Sequence, residues 1–127
     1  MAVILVVEDD AFLREVAETT LQSWGHKTLG ASDVDEAIPI LESAQAIDAL
    51  FTDICLKEEA HGGVDIAQRA IALRPGIRVL YATGHLLTAK VRARFVGGAN
   101  CLRKPYTDEQ LQQAVTSMLQ PPDEDQD

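Results

Sequence analysis

The sequence has few cysteines, no long apolar run and no excess of basic residues, and each absence excludes a class of protein. Cys55 and Cys101 lie far apart and lack the spacing of a metal site, so we expect buried, reduced thiols. The N-terminal apolar stretch, residues 2–7, is too short for a signal peptide or a membrane span, which predicts a cytoplasmic protein without membrane contact. A net charge of −9 does not favour binding to nucleic acid, whose phosphates require a basic surface.

What is present indicates one ordinary globular domain. The chain has 127 residues, of which 46% are hydrophobic and 24% charged, enough for a single sizeable core. Residues 123–127 hold four acids and no apolar side chain, which is typical of a segment that does not fold. We therefore expect a domain over residues 1–120, followed by a disordered acidic tail over residues 121–127.

Apolar runs alternate with helical patterns along the whole chain. This alternation is typical of βαβ units, and it predicts an α/β protein with an open parallel sheet and helices on both faces. The predicted strands cover residues 2–7, 26–31, 48–52, 77–82 and 100–102, and two of the helices cover residues 64–73 and 88–95.

Helix-terminal signals mark the remaining helices. Asp10 is a candidate N-cap and Gly25 a candidate C-terminal stop for the first helix. Residues 32–35 open the second helix, in which Pro39 predicts a kink or a late start. Residues 107–110 form a capping box ahead of the last helix.

Polar residues follow four of the predicted strands. Glu8, Asp9 and Asp10 follow the first strand and Asp53 closes the third, while Thr83 and Lys104 follow the fourth and fifth. In a parallel sheet such residues collect at the carboxyl edge. Carboxylates, a hydroxyl and an ammonium at one edge are suited to a divalent cation and a phosphoryl group.

These segments match the motifs of a known family in order. They are Val-Val-Glu-Asp-Asp at residues 6–10, Phe-Thr-Asp at 51–53, Ala-Thr-Gly at 82–84 and Arg-Lys-Pro at 103–105. Over residues 2–120 the chain resembles the receiver domain of two-component response regulators, in a single-domain form. The resemblance implies a flavodoxin-like, doubly wound (βα)5 fold with strand order 2-1-3-4-5.

The resemblance also implies a Mg²⁺ site. It assigns Asp9 and Asp53 as ligands, together with the backbone carbonyl of Cys55. Glu8 is expected to act through a metal-bound water. Mg²⁺ prefers hard oxygen ligands and is commonly held by one or two carboxylates plus a phosphate, which agrees with these residue types.

The implied chemistry is phosphoryl transfer to Asp53. The donor would be a phosphohistidine on a sensor histidine kinase or a histidine phosphotransfer protein. Thr83 and Lys104 would each bind a phosphoryl oxygen, and the Lys104–Pro105 bond is expected to be cis. The protein would be a stoichiometric phosphoacceptor in a phosphorelay rather than an enzyme, with an unidentified downstream protein partner and, as a further option, a homodimer.

Three features depart from the family. Cys101 stands where most receivers carry the Tyr or Phe that moves together with Thr83, so the conformational switch must differ or be weaker. Lys57 replaces the usual proline four residues after the phosphoacceptor. The acidic loop over residues 57–63 is one or two residues longer than usual.

Basic residues cluster late in the chain. Lys90, Arg92, Arg94 and Arg103 all fall within 14 positions, from residue 90 to residue 103. The simpler interpretation is a solvated helix face. The alternative is a docking face for an acidic partner on the fourth helix and fifth strand, with the fifth helix beside it.

Three other functions compete with the receiver interpretation. Haloacid-dehalogenase-like phosphatases require a second acid two residues after Asp9, and Ala11 occupies that position. A flavodoxin relative would need an anion-binding loop where this chain places acids. A pseudo-receiver, which binds partners without being phosphorylated, remains open because of Cys101.

Overall fold

Five strands and five helices alternate in the computed structural model, which describes residues 1–57, 59–97 and 99–120. The predicted acidic tail, residues 121–127, lies outside the described residues. No helix in the described part of the chain is long and apolar enough to cross a membrane. The elements are β1 Val3–Val7, α1 Ala11–Ser23, β2 Lys27–Ala31, α2 Val34–Glu42, β3 Ala49–Asp53, α3 Gly62–Leu73, β4 Arg78–Thr83, α4 Ala89–Arg92, β5 Asn100–Arg103 and α5 Asp108–Leu119.

The five strands form one parallel sheet in the order β2-β1-β3-β4-β5, which confirms the predicted topology. The central strands β1, β3 and β4 are almost entirely buried, whereas the edge strands β2 and β5 are partly exposed. This difference is expected because helices cover both faces of the centre of a parallel sheet.

Helices pack on both faces of the sheet. Along β1, Leu5 and Val7 face the layer that contains α2 and α3, while Ile4 and Val6 face the layer that contains α1 and α5. Successive side chains of a strand point to opposite faces, so one apolar run supplies both halves of the core.

The helix ends follow the predicted signals in most cases. Asp10 caps α1 by accepting a hydrogen bond from Leu13 N at 3.0 Å, and Gly25 follows that helix with φ +92°. The late start predicted for the second helix is wrong, because α2 begins at Val34 and continues through the exposed Pro39.

The fourth helix is shorter than predicted. The pattern indicated a helix over residues 88–95, but α4 ends at Arg92 and contains no buried residue. Single turns continue the chain to Phe95, whose ring stacks on Tyr81 of β4. Tertiary contacts of this segment therefore override the local helical pattern.

Candidate functional site

Three carboxylates meet at the carboxyl edge of the sheet. Strands β1 and β3 are neighbours with Val7 opposite Thr52, so the residues that end these strands emerge side by side. One oxygen each from Glu8, Asp9 and Asp53 lie within 4.8 Å of one another. Glu8 and Asp53 are each only 7% exposed, whereas Asp9 is exposed.

Lys104 joins this cluster from the other side. Its Nζ donates hydrogen bonds to Glu8 Oε1 at 2.8 Å and to Asp53 Oδ2 at 2.9 Å. Lys104 follows β5 directly, its backbone N–H bonds to Thr83 O at 2.8 Å, and the Lys104–Pro105 bond is cis as predicted. The ammonium therefore bridges two buried carboxylates that come from different strands.

The electrostatics of the cluster favour additional positive charge. Burial, together with the neighbouring Glu8 carboxylate, raises the pKa of Asp53 to about 8, against the opposing attraction of Lys104. Burial acts to lower the pKa of Lys104, but its bonds to Glu8 and Asp53 outweigh this effect and raise the pKa to about 12. A cation beside Asp53 would stabilise the ionised carboxylate.

Asp9 is held by the loop that follows β3. Its Oδ2 accepts a hydrogen bond from the backbone N–H of Lys57 at 2.9 Å. Partial burial acts to raise the pKa of Asp9, but this bond is among the contacts that together hold the pKa below its ordinary value. Asp10, by contrast, uses its carboxylate to cap α1.

The donor set suits Mg²⁺. Glu8, Asp9 and Asp53 present hard carboxylate oxygens, and the buried position of two of them makes a compensating cation favourable. These three residues would hold the ion. Cys55 is half-buried in the segment directly after β3, and the role of its backbone carbonyl stays a prediction.

Thr83 places a hydroxyl at the same edge. It ends β4 one residue beyond Ala82, which lies opposite Asp53 in the neighbouring strand. Its Oγ1 is buried with the residue, accepts a bond from His85 N at 3.1 Å and lies 3.4 Å from His85 O. The hydroxyl is therefore bonded to the turn that follows β4.

Two residues that support the site were not found from the sequence. A Cβ added to Gly63 would lie 1.7 Å from Asp53 O, so only glycine lets α3 begin against the end of β3. The glycine pair ahead of a helix was the available signal. Arg14 donates from Nη1 to Glu8 O at 2.8 Å, and no local pattern indicates that contact.

An aromatic pair links β4 to the segment after α4, beside the position of the expected switch. Cys101 is half-buried on β5 opposite Tyr81 of β4, and burial raises the pKa of its thiol to about 11. Tyr81 is fully buried, stacks on Phe95 with 4.2 Å between ring centroids, and accepts a hydrogen bond from Val96 N at 3.2 Å. The aromatic ring of this region therefore comes from β4 rather than from β5.

The predicted basic face divides into two parts. Lys90, Arg92 and Arg103 are exposed on α4 and at the end of β5. Arg94 instead forms an ion pair with Asp65 of α3. Three of the four predicted basic side chains are thus directed to solvent.

Comparisons with known proteins agree with this geometry. The family model described as response regulator receiver domain matches residues 4–116. Among solved structures, a response regulator receiver protein from Sinorhizobium medicae is 32% identical, with a TM-score of 0.81 over 93% of this chain and 94% of that one. A receiver domain protein from Clostridium thermocellum is 28% identical, with a TM-score of 0.81 over 94% of each chain.

A curated relative is longer than this chain. The uncharacterized transcriptional regulatory protein YrkP of Bacillus subtilis is 27% identical over 117 residues, which are 91% of this chain and 48% of that protein. The chain therefore spans about half the length of the curated relative that it matches.

Proposed function

The chain belongs to the response regulator receiver domain family, and on this premise we propose that Asp53 accepts a phosphoryl group from a phosphohistidine. The donor is a sensor histidine kinase or a histidine phosphotransfer protein. The observation that carries the proposal is the position of Lys104, whose ammonium bonds to Glu8 and Asp53 at a buried strand edge. This arrangement places a nucleophilic carboxylate beside an ammonium group that can bind an oxygen of the transferred phosphoryl group.

The transfer itself needs little from the protein beyond position and charge. An oxygen of the Asp53 carboxylate forms the new O–P bond while the N–P bond of the donor breaks, and the electron pair of that bond stays on the imidazole. Lys104 and the Thr83 hydroxyl each bind an oxygen of the transferred group. Asp53 has to be ionised to attack, although burial raises its pKa to about 8.

Mg²⁺ is part of this proposal. Asp9, Asp53 and the backbone carbonyl of Cys55 would be its ligands, with Glu8 acting through a bound water. Bound there, the ion would offset the repulsion between the carboxylates and the incoming phosphoryl oxygens. The clustering of the three carboxylate oxygens within 4.8 Å supports this assignment.

We assign the phosphodonor to the groove between α1 and the segment after β5. This groove has a volume of about 420 Å³, and its lining includes Leu13, Val16, Tyr106 and Lys104. Phe12, which precedes Leu13 on α1, is 71% exposed. An exposed apolar surface beside the acidic site is suited to a protein partner.

Transfer from two donors tests the docking assignment. Val16→Asp is expected to slow transfer from a phosphorylated histidine phosphotransfer protein at least tenfold, about 1.4 kcal/mol, while leaving phosphorylation by acetyl phosphate unchanged. Thr19→Asp adds the same charge on another part of α1 and is expected to leave both rates unchanged. Equal loss with both donors would instead indicate damage to the site.

The proposed output of phosphorylation is a change in a protein-binding surface. Phosphorylation would alter the face formed by α4, β5 and α5, where Lys90, Arg92 and Arg103 are exposed. The protein would act stoichiometrically in the cytoplasm, through a downstream protein rather than through nucleic acid. Reversing the charges of Lys90 and Arg92 is expected to weaken binding to that partner and to leave Asp53 phosphorylation unchanged.

Intact-mass analysis with acetyl phosphate tests the central claim. Wild-type protein is expected to gain a single phosphoryl group in the presence of Mg²⁺ and none in the presence of a chelator. Asp53→Asn is expected to gain none in either condition. A folded wild-type protein that gains no phosphoryl group would favour the alternative, a pseudo-receiver, for which Cys101 in place of an aromatic residue is the supporting observation.

A further inference from the structure

The chain makes an unusual turn directly after β3. Leu56 and Glu59 exchange two backbone hydrogen bonds, at 3.0 Å and 2.8 Å, and Lys57 directly follows Leu56. Lys57 has φ +52°, and it is the one non-glycine residue with positive φ among those that the structure describes. Such a conformation disfavours most side chains, so it requires support from its surroundings.

Lys57 connects three loops at the edge that carries the acidic cluster. Its backbone N–H donates to Asp9 Oδ2 at 2.9 Å. Its Nζ lies 2.8 Å from Asp33 Oδ2, and the other oxygen of Asp33 caps α2 by accepting from Glu36 N at 2.9 Å. One residue therefore links the loops that follow β1, β2 and β3.

A proline at this position could not make these contacts. The proline ring holds φ near −65° and leaves no N–H to donate. A left-handed residue with a free N–H is therefore what allows this loop to reach Asp9. The side chain adds an ion pair that ties the turn to the start of α2.

We propose that Lys57 is a positioning residue for Asp9, orienting its carboxylate toward Mg²⁺ through a backbone hydrogen bond. The inference rests on the proposed function, because it treats Asp9 as a metal ligand. The N–H occupies Oδ2, so the carboxylate is held in one orientation before an ion arrives. Groups that orient metal ligands in this way commonly contribute ten- to a hundredfold to metal affinity.

Mg²⁺ affinity of the unphosphorylated protein tests the inference, measured by isothermal titration calorimetry. Lys57→Pro removes the N–H and is expected to weaken Mg²⁺ binding about tenfold. Lys57→Gly retains the N–H, permits positive φ and lacks the ammonium, so its affinity is expected within about threefold of wild type. Circular dichroism and thermal unfolding without Mg²⁺ establish that each variant is folded.

Three further variants keep the test decisive if Lys57→Pro does not fold. Lys57→Val keeps the N–H but strongly disfavours positive φ, so its affinity is expected between those of Lys57→Gly and Lys57→Pro. Asp9→Asn and the double variant Asp9→Asn with Lys57→Val are expected to bind Mg²⁺ equally weakly, because Lys57 acts through Asp9.

The outcomes separate this inference from the proposed function. Wild-type affinity in folded Lys57→Pro or Lys57→Val would overturn the positioning role and leave the Mg²⁺ site intact. Loss in Lys57→Gly as large as in Lys57→Pro would overturn it too, by assigning the effect to the ammonium. Absence of Mg²⁺ binding by wild type would overturn both the metal assignment and this inference.

Discussion

Two regions at the same edge of the sheet differ in how deeply their residues are buried. Around β1 and β3, Glu8 and Asp53 are buried and both bond to Lys104. Between β4 and β5, α4 has four residues, none of them buried, and β5 is a partly exposed edge strand. The acidic cluster is thus held in place by the ends of buried strands. The second region, which comprises α4, β5 and the chain between them, is anchored mainly by the Tyr81–Phe95 stack.

The two regions also differ in how far they follow the pattern expected for the family. The acidic cluster and Lys104 retain the arrangement expected for phosphoryl transfer. The second region has Cys101 on β5 and a buried tyrosine, Tyr81, opposite it on β4. Thr83 lies at the boundary, because it ends the strand that carries Tyr81 and its hydroxyl bonds to the turn at His85.

The largest expected difference comes from the same substitution in each region. Gly63→Ala would bring a Cβ to 1.7 Å from Asp53 O, so we expect a loss of at least about 4 kcal/mol in unfolding free energy. Gly97→Ala, in the segment before β5, meets no atom within 4 Å and is expected to change stability by less than about 0.5 kcal/mol. Urea unfolding followed by circular dichroism measures both losses. Equal losses would show that the acidic cluster is no more tightly packed than the second region.

Removal of the Phe95 ring is expected to weaken the second region alone. Phe95 is half-buried and stacks on Tyr81, so Phe95→Ala is expected to cost about 2 kcal/mol of unfolding free energy. Acetyl phosphate should still phosphorylate Asp53 to within about twofold of the wild-type rate, a barrier change below about 0.5 kcal/mol. A tenfold slower rate would show that the acidic cluster depends on this stack.

Asp53→Asn is expected to stabilise the protein in the absence of Mg²⁺, and more strongly as pH rises. The pKa of Asp53 is raised to about 8 in the folded protein from an ordinary value of 3.8, so the folded state retains a proton that the unfolded state loses. The contribution of this group to folding therefore becomes less favourable as pH rises from about 4 to above 8, and it is less favourable at pH 8 than at pH 5. We expect a gain of about 1–2 kcal/mol at pH 8 and a smaller one at pH 5.

Urea unfolding in a chelator at the two pH values checks this prediction. If Asp53 is a ligand of the proposed Mg²⁺ site, saturating Mg²⁺ should stabilise the wild type more than Asp53→Asn, which lacks that carboxylate. A gain that is the same at pH 5 and pH 8 would show that Asp53 does not titrate with a raised pKa.

The smallest expected effect concerns one hydroxyl. Tyr81→Phe removes the acceptor of the hydrogen bond from Val96 N but keeps the stacked ring, so we expect a loss of about 1 kcal/mol. Thermal unfolding measures the loss, and phosphorylation by acetyl phosphate should be unaffected. A loss as large as that of Phe95→Ala would assign the anchoring of the second region to the hydroxyl rather than to the rings.

The two regions also differ in how well the sequence predicted them. The strands that carry Glu8 and Asp53 were predicted to within a residue, because apolar runs with acids at their ends are a strong local signal. Helix α4 was predicted as eight residues, from 88 to 95, and has four. Its local pattern was helical, but Phe95 turns onto Tyr81 and Arg94 onto Asp65, and neither partner is near in sequence.

By itself, the sequence determined the succession of βα units, the caps of α1 and α5 and the polar residues at the strand ends. These features depend on periodicity and on side chains within a few residues of one another. Only the tertiary structure decided that Lys104 bridges Glu8 and Asp53, which are 96 and 51 positions away, and that Lys57 reaches Asp9 across 48 positions. Such contacts depend on strand order and on loop conformation, which no local pattern encodes.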